Sequence, residues 1–452
     1  MTIIRNNASS RRVGDIARRT GLAAALAIAT FVAACNTAQL LNVEAPNSVT
    51  ATVFDDPRNA TLMVNSLIGD FECAFGGFVV AEGIATDELQ DATITAANWQ
   101  LDRRDDGFTS GSYGTAGCTT TQGIYTPLST ARWEADQAVT RLAAWTDAQV
   151  VNRNALLAQA NLYAGFSYAL LGMAMCQASF DLQAPVDQKA MFALAEKRFT
   201  DAIAVAQTAN QATTLSAAYL GRARMRLFLR NLPGAIADAQ LVPRGFVLNA
   251  AMDASNARRY NHVYNVISTV GSATVEVSTR ALTTEQGEVD PRAGTTRLTT
   301  RPADAVSVAY VPTKFNAATL TAGQAIPQPI ARYEEAQLII AEAQGGAAAV
   351  TVVNALRATV GLKPYTGATD AASITALIVG ERQRALFVEG FRAFDIERFN
   401  VALVPAPGST YRFGGAYGRT VCMPLPDIER VNNPNVDASK LISGVQGQFP
   451  IP

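Results

Sequence analysis

Residues Glu381 to Asn400 read E-R-Q-R-A-L-F-V-E-G-F-R-A-F-D-I-E-R-F-N, and the fold turns on how they pack. From Ser373 onward, Ile374, Leu377, Ile378, Ala385, Leu386 and Val388 recur at three- and four-residue steps, the spacing of one buried helix face. Gly390 is placed to stop that helix in the left-handed conformation, and a shorter helix carrying Phe391, Phe394, Ile396 and Phe399 follows. Glu381, Arg382, Arg384, Glu389, Arg392 and Asp395 share this apolar hairpin. Charges in such a setting must pair, because stripping a buried one of its partner costs on the order of 3–5 kcal/mol. They could serve as an ion-pair cluster locking the two helices, or as a glycosidase-like carboxylate pair. Alternating Arg and Glu would keep the carboxylates ionised and low in pKa, which suits neither a general acid nor a proton shuttle. The structural reading is the stronger.

Around this hairpin lie 452 residues, enough for one large or two ordinary domains. Charge is nearly balanced, 37 Lys+Arg against 38 Asp+Glu, which argues against a nucleic-acid surface. The one histidine, His262, excludes a multi-histidine metal site and makes a Ser-His-Asp triad a poor prospect; it reads as a surface or otherwise satisfied polar residue. G-x-S-x-G, H-E-x-x-H, P-loop and C-x-x-C patterns are all absent, and no cofactor or metal is called for.

Residues 1–34 read as a lipoprotein signal peptide. Arg5, Arg11, Arg12, Arg18 and Arg19 precede an apolar run, Gly21 to Val32, that is too short to span a bilayer. Val32-Ala33-Ala34-Cys35 resembles a lipobox, so Cys35 is expected to be the lipidated N-terminus of the mature chain, followed by a tether over 35–50. Outside the cytoplasm the other four cysteines are candidates for disulfides. Of the three possible pairings, nearness along the chain favours Cys73 with Cys118, leaving Cys176 for Cys422.

Asp56-Pro57 starts a first helix running toward Cys73, with Gly76-Gly77 as its expected break. A polar loop then extends from Asp87 to about Gln122. Trp99 stands there amid Asp87, Arg103, Arg104 and Tyr113, a set suited to stacking on a sugar face and reading its hydroxyls. Trp99 could equally pin the loop to the core, whereas Trp133 and Trp145 fall in helical patterns and read as core. Helices are expected over Leu128–Trp145, Arg153–Ala174, Met191–Ala209, Thr214–Leu229 and Gly234–Leu241, with small residues alternating with large ones as close-packed helix pairs require. The last two resemble a degenerate tetratricopeptide repeat. Residues 244–329 change character, with short strands expected at Thr274–Val277 and Val306–Tyr310 and with Tyr260, Tyr264 and Tyr310 as further candidate ligand contacts.

The hairpin is similar to the SusD/RagB family signature E-R-x-x-E-L-x-x-E-G-x-R-x-x-D-L-x-R, although Ala385 replaces a Glu and so removes one possible ion pair. Arg332-Tyr333-Glu334-Glu335 with Leu338 and Ala341-Glu342-Ala343, Asn354 to Arg357 with Gly361-Leu362, and Pro424-Leu425-Pro426 with Asn433-Pro434-Asn435 resemble further family segments in the same order. The resemblance implies a mainly α-helical, irregular tetratricopeptide-like scaffold with an irregular loop and short-strand ligand-facing region. Its expected parts are 51–243, a 244–329 insert and 330–452. It also implies a non-catalytic lipoprotein on the outer-membrane surface that captures an oligosaccharide or peptide as the lid of a SusC-like, TonB-dependent transporter. A glycan-degrading enzyme on a helical scaffold and a tetratricopeptide-type protein-binding scaffold are the alternatives.

Overall fold

Asp56 begins the described helical body as the sequence predicts, its carboxylate accepting the Arg58 N–H ahead of Pro57. The computed structural model describes residues 51–119 and 122–446, so the expected signal peptide, Cys35 and the expected tether lie outside the described residues. Contacts divide the chain into two units, Met1–Phe54 and Asp55–Pro452, and the following account concerns the second.

The first long helix, α1 (Ala60–Ile84), does not break at Gly76-Gly77. A Cβ at Gly76 would fall 2.8 Å from Nδ1 of His262, so glycine there serves close packing rather than a turn. His262 is accordingly buried rather than superficial, and burial pushes its pKa down to about 4. The long polar loop contains a short helix, α2 (Trp99–Arg103). Then α3 (Tyr125–Ala144), α4 (Arg153–Ala174), α5 (Gln188–Thr208), α6 (Ala212–Phe228) and α7 (Leu232–Ala239) follow, each packing on the next. The alternation of small and large residues has a direct consequence here. The Phe199 ring of α5 lies against Gly165 of α4 and Gly221 of α6, where an added Cβ would meet it at 2.7 and 2.4 Å. Trp133 is not core; it is 43% exposed on α3, while Trp145 caps that helix half-buried.

After the insert the chain returns as α8 (Tyr333–Gln344), α9 (Gly346–Ala358), α10 (Ala371–Ala385) and α11 (Arg392–Arg398). The buried Arg224–Glu335 pair at 2.6 Å joins α6 to α8. Asp370 caps α10 through the Ala372 and Ser373 N–H groups. That helix ends at Ala385, earlier than Gly390, whose positive φ instead shapes the connection to α11 against Phe78.

The strands are short antiparallel pairs: Leu89–Asp91 with Ala273–Val275, Gln177–Ala178 with Val186–Asp187, Val247–Ala250 with Gln328–Arg332, and Thr295–Arg297 with Tyr310–Pro312. The strand expected from Val306 begins only at Tyr310, because Asp304 accepts from the N–H groups of Val306 and Ser307 and folds that segment into a turn. Disulfides join Cys73 to Cys118 and Cys176 to Cys422. Among the described residues no helix is long and apolar enough to cross a membrane.

Candidate functional site

The charges of the α10–α11 hairpin are spent on holding the fold. Glu381, fully buried, receives Arg292 at 2.6 Å, Arg384 at 2.9 Å and Arg357 at 3.0 Å. Arg384 and Arg357 also reach Glu285, and Arg292 pairs with Asp290, so the hairpin grips the insert as well as its own helices. Arg382 bonds Asp395 at 2.7 Å, the link between α10 and α11, and Arg398 ties the same Asp395 to Glu342 of α8. Glu389 takes Lys314 and Arg332, and Arg332 also donates to the carbonyl of Ala385. These cations hold Glu389 and Asp395 below the ordinary carboxylate range against the opposing effect of burial. Saturated, ionised carboxylates of this kind are poor proton donors.

A different arrangement surrounds Trp99. A 3-10 turn over Ala96–Asn98 leads into α2, and the indole Nε1 donates to the Thr93 carbonyl at 3.2 Å. The half-buried indole stacks on Phe413, centroids 4.8 Å apart and planes 16° from parallel. Phe413 comes from a hairpin whose Thr410–Ala416 bridge encloses a Gly414-Gly415 turn. The Arg412 guanidinium lies over the Phe413 ring at 4.8 Å and donates to Ser307 Oγ at 2.8 Å. Beneath, buried Asp102 accepts from the Tyr411 hydroxyl at 2.9 Å. Burial pushes Asp102 up to about 7, with Arg412 acting in the other direction. Tyr310 is half-buried, with the Arg280 guanidinium 4.4 Å from its ring centre.

The expected ligand residues therefore divide. Trp99 belongs to this ring-and-arginine face, and Arg103 borders it, half-buried, paired with Asp105 and 3.5 Å from the Gly414 carbonyl. Tyr310 follows Ser307 on the segment that Arg412 contacts. Four others are corrected. Asp87 is buried, with both oxygens held by Arg392 at 2.7 Å. Arg104 is buried and donates to the carbonyls of Val404 and Pro405. The buried Tyr113 hydroxyl donates to the Pro424 carbonyl at 3.0 Å. Buried Tyr264 packs on Gly323, where a Cβ would fall 2.1 Å from its ring. All four are buried and engaged within the fold rather than presented on a polar loop surface. Tyr260 stays half-buried at the end of the Ala257–Arg259 turn, whose arginines face Asp70 and Glu72. Sequence reasoning missed Arg412 and Phe413; the signal was Y-R-F-G-G-A-Y over 411–417, aromatic residues flanking a Gly-Gly turn.

The SusD family model matches residues 195–437, more than half of the chain, and the chain belongs to that family. A SusD-like carbohydrate binding protein from Bacteroides vulgatus is similar in fold at 16% identity and TM-score 0.63, covering 84% of this chain and 97% of its own. A SusD superfamily protein from Parabacteroides distasonis matches at 14% and 0.63, with 86% and 99% covered. A laminarin binding SusD-like protein matches at 16% and 0.59, with 84% and 98% covered. No curated protein matches the chain by sequence.

Proposed function

We propose that the protein binds an oligosaccharide at the Trp99–Phe413–Arg412 face, without catalysis, as a Cys35-anchored outer-membrane surface protein. In this reading it serves as the lid of a SusC-like, TonB-dependent transporter. The observation that carries the binding site is the half-buried ring pair bordered by a guanidinium. Flat apolar rings suit a sugar's apolar face, and arginine with neighbouring hydroxyls suits its oxygens. Solved relatives described as carbohydrate binding and laminarin binding favour a saccharide over a peptide. The hairpin's ion-paired carboxylates favour binding over hydrolysis.

A glycan array with peptide controls tests the ligand class: saccharide binding that Phe413→Ala abolishes supports the proposal. Peptide binding alone, or hydrolysis of a bound glycan by the purified protein, would overturn it. Loss of Cys35→Ala from the outer-membrane fraction tests the anchor. Co-purification with a TonB-dependent transporter tests the partner.

A further inference from the structure

A cavity of about 690 Å³ opens on the helical side of the molecule, between α5, the end of α6 and α11. That volume falls within the range of small-molecule sites, roughly 300–1,000 Å³. None of its lining residues belongs to the Trp99–Phe413–Arg412 face. Part of its wall is a triad of phenylalanines from three helices: Phe394 lies 4.6 Å from Phe228 and 5.2 Å from Phe192, and Phe192 lies 5.3 Å from Phe228. Apolar aromatic surface of this kind favours a ring or short hydrocarbon chain over a polyhydroxylated sugar.

The polar groups are few and unequal. Glu397 Oε2 accepts from Gln188 Nε2 at 2.9 Å, and burial pushes that carboxyl up to about 7, so much of it is protonated near neutral pH. Arg398 is already taken by Glu342 and Asp395. Asp187 also borders the cavity, but its carboxylate caps α5 through the Ala190 N–H at 2.8 Å. Lys189 and Arg230 remain: both are exposed, and no carboxylate of the described residues pairs with either. Apolar rings beside two uncommitted cations and a proton-bearing carboxyl define a complementary ligand, apolar at one end and anionic at the other.

We propose that this cavity is a second binding site that takes a small amphipathic carboxylate, an aryl or short-acyl acid. Its apolar body rests on Phe192, Phe228 and Phe394, and its carboxylate is met by Lys189 and Arg230. The site is independent of saccharide binding at Trp99, and a chain carrying Phe413→Ala should retain it.

Titration calorimetry with 3-phenylpropionate, and with 3-phenylpropanol as its uncharged counterpart, tests this on the intact mature chain. The expected result is that 3-phenylpropionate binds, that the doubly substituted Lys189→Gln, Arg230→Gln chain weakens it about tenfold, and that the alcohol is unaffected. Both substitutions are at exposed positions, so an unchanged thermal melt separates lost binding from lost folding. Thr375→Trp, another exposed wall position, should exclude both probes by filling the opening. The proposal is overturned by no 3-phenylpropionate binding up to about 10 mM. Equal affinity in the double variant, or retained binding in Thr375→Trp, overturns it as well.

Discussion

The α10–α11 hairpin and the Trp99 face both mix charges with aromatic rings, yet they are built on opposite plans. In the hairpin every one of the six charged residues singled out is buried and answered, Glu381 by three arginines. The Trp99 face draws its groups from segments far apart in the chain: Trp99 from α2, Ser307 from a turn, and Arg412 and Phe413 from a late hairpin, with both rings half-buried. Saturation removes a charge from chemistry and commits it to holding helices together. Partial exposure of rings on loops is the condition under which a surface can receive a ligand. The contrast separates what keeps this protein folded from what it presents.

The largest expected effect probes how the late hairpin is held. Cys176–Cys422 closes a sequence separation of 246 against 45 for Cys73–Cys118. On chain entropy alone these correspond to roughly 5 and roughly 4 kcal/mol. Cys422 lies soon after the strip bearing Arg412 and Phe413, beside the Met175–Met423 bridge. The Cys176→Ser, Cys422→Ser variant should therefore lose stability in a denaturant titration and also lose ligand affinity per folded molecule. Unchanged affinity would show that the face stands without its covalent tie. Next, Glu381→Ala takes the shared, fully buried carboxylate from Arg292, Arg357 and Arg384, leaving them only Asp290 and Glu285, and should cost about 3–5 kcal/mol. Ligand affinity of the folded fraction should be intact. A loss below about 1 kcal/mol would mean that the cluster does not carry the fold.

The same contrast explains what could be read from residues alone. Helical spacing over 374–388 and the small–large alternation around Gly165, Phe199 and Gly221 are local signals, and the helices formed close to where that spacing placed them. The hairpin's charges could be recognised as paired because buried charges have no alternative, but their partners Glu285, Asp290 and Asp87 are remote in sequence and carry no local mark. Asp87, Arg104 and Tyr113 looked like ligand contacts because polarity in a loop resembles exposure; each proved to be buried and bonded within the fold. Gly76-Gly77 looked like a helix break because a glycine needed for close approach and one needed for a turn are the same letter.

At the Trp99 face the question is whether the indole stacks on ligand or only fastens α2. Its bond to Thr93 and its contact with Phe413 give it some structural work in either case. Trp99→Ala should weaken glycan binding by about 2–4 kcal/mol, beyond any change in folded fraction. If calorimetry and thermal melts move together, so that affinity tracks folding, Trp99 is a fastening and Phe413 with Arg412 is left to define the face.

The smallest effect concerns the buried acids in which, unlike those of the hairpin, burial outweighs any cation nearby. Glu82 sits inside α1 with both carboxylate oxygens buried and unbonded, and burial, with Glu397 and Glu88 nearby, pushes its pKa well up. Burial likewise raises Glu88 to about 8, and Asp102 and Glu397 to about 7. A carboxyl with a raised folded-state pKa binds more protons folded than unfolded, so its contribution is complete below the unfolded pKa and is lost as pH rises toward the folded value. His262, lowered to about 4, acts in the opposite sense, since the unfolded chain takes up its proton first, and that influence fades above about pH 6.5. Between about pH 6.5 and 7.5 stability should therefore fall as pH rises, each still-protonated carboxyl contributing about 1.4 kcal/mol per pH unit. Asp102 and Glu397 titrate within that window and drop out as it is crossed, whereas Glu88 keeps most of its proton. Glu82→Gln removes an acid that burial holds toward its protonated form, and denaturant titrations across the window should show a shallower slope. An unchanged slope would mean that Glu82 is ionised in the folded protein with a partner of its own, and the distinction between cation-saturated and uncompensated acids would fail at its clearest case.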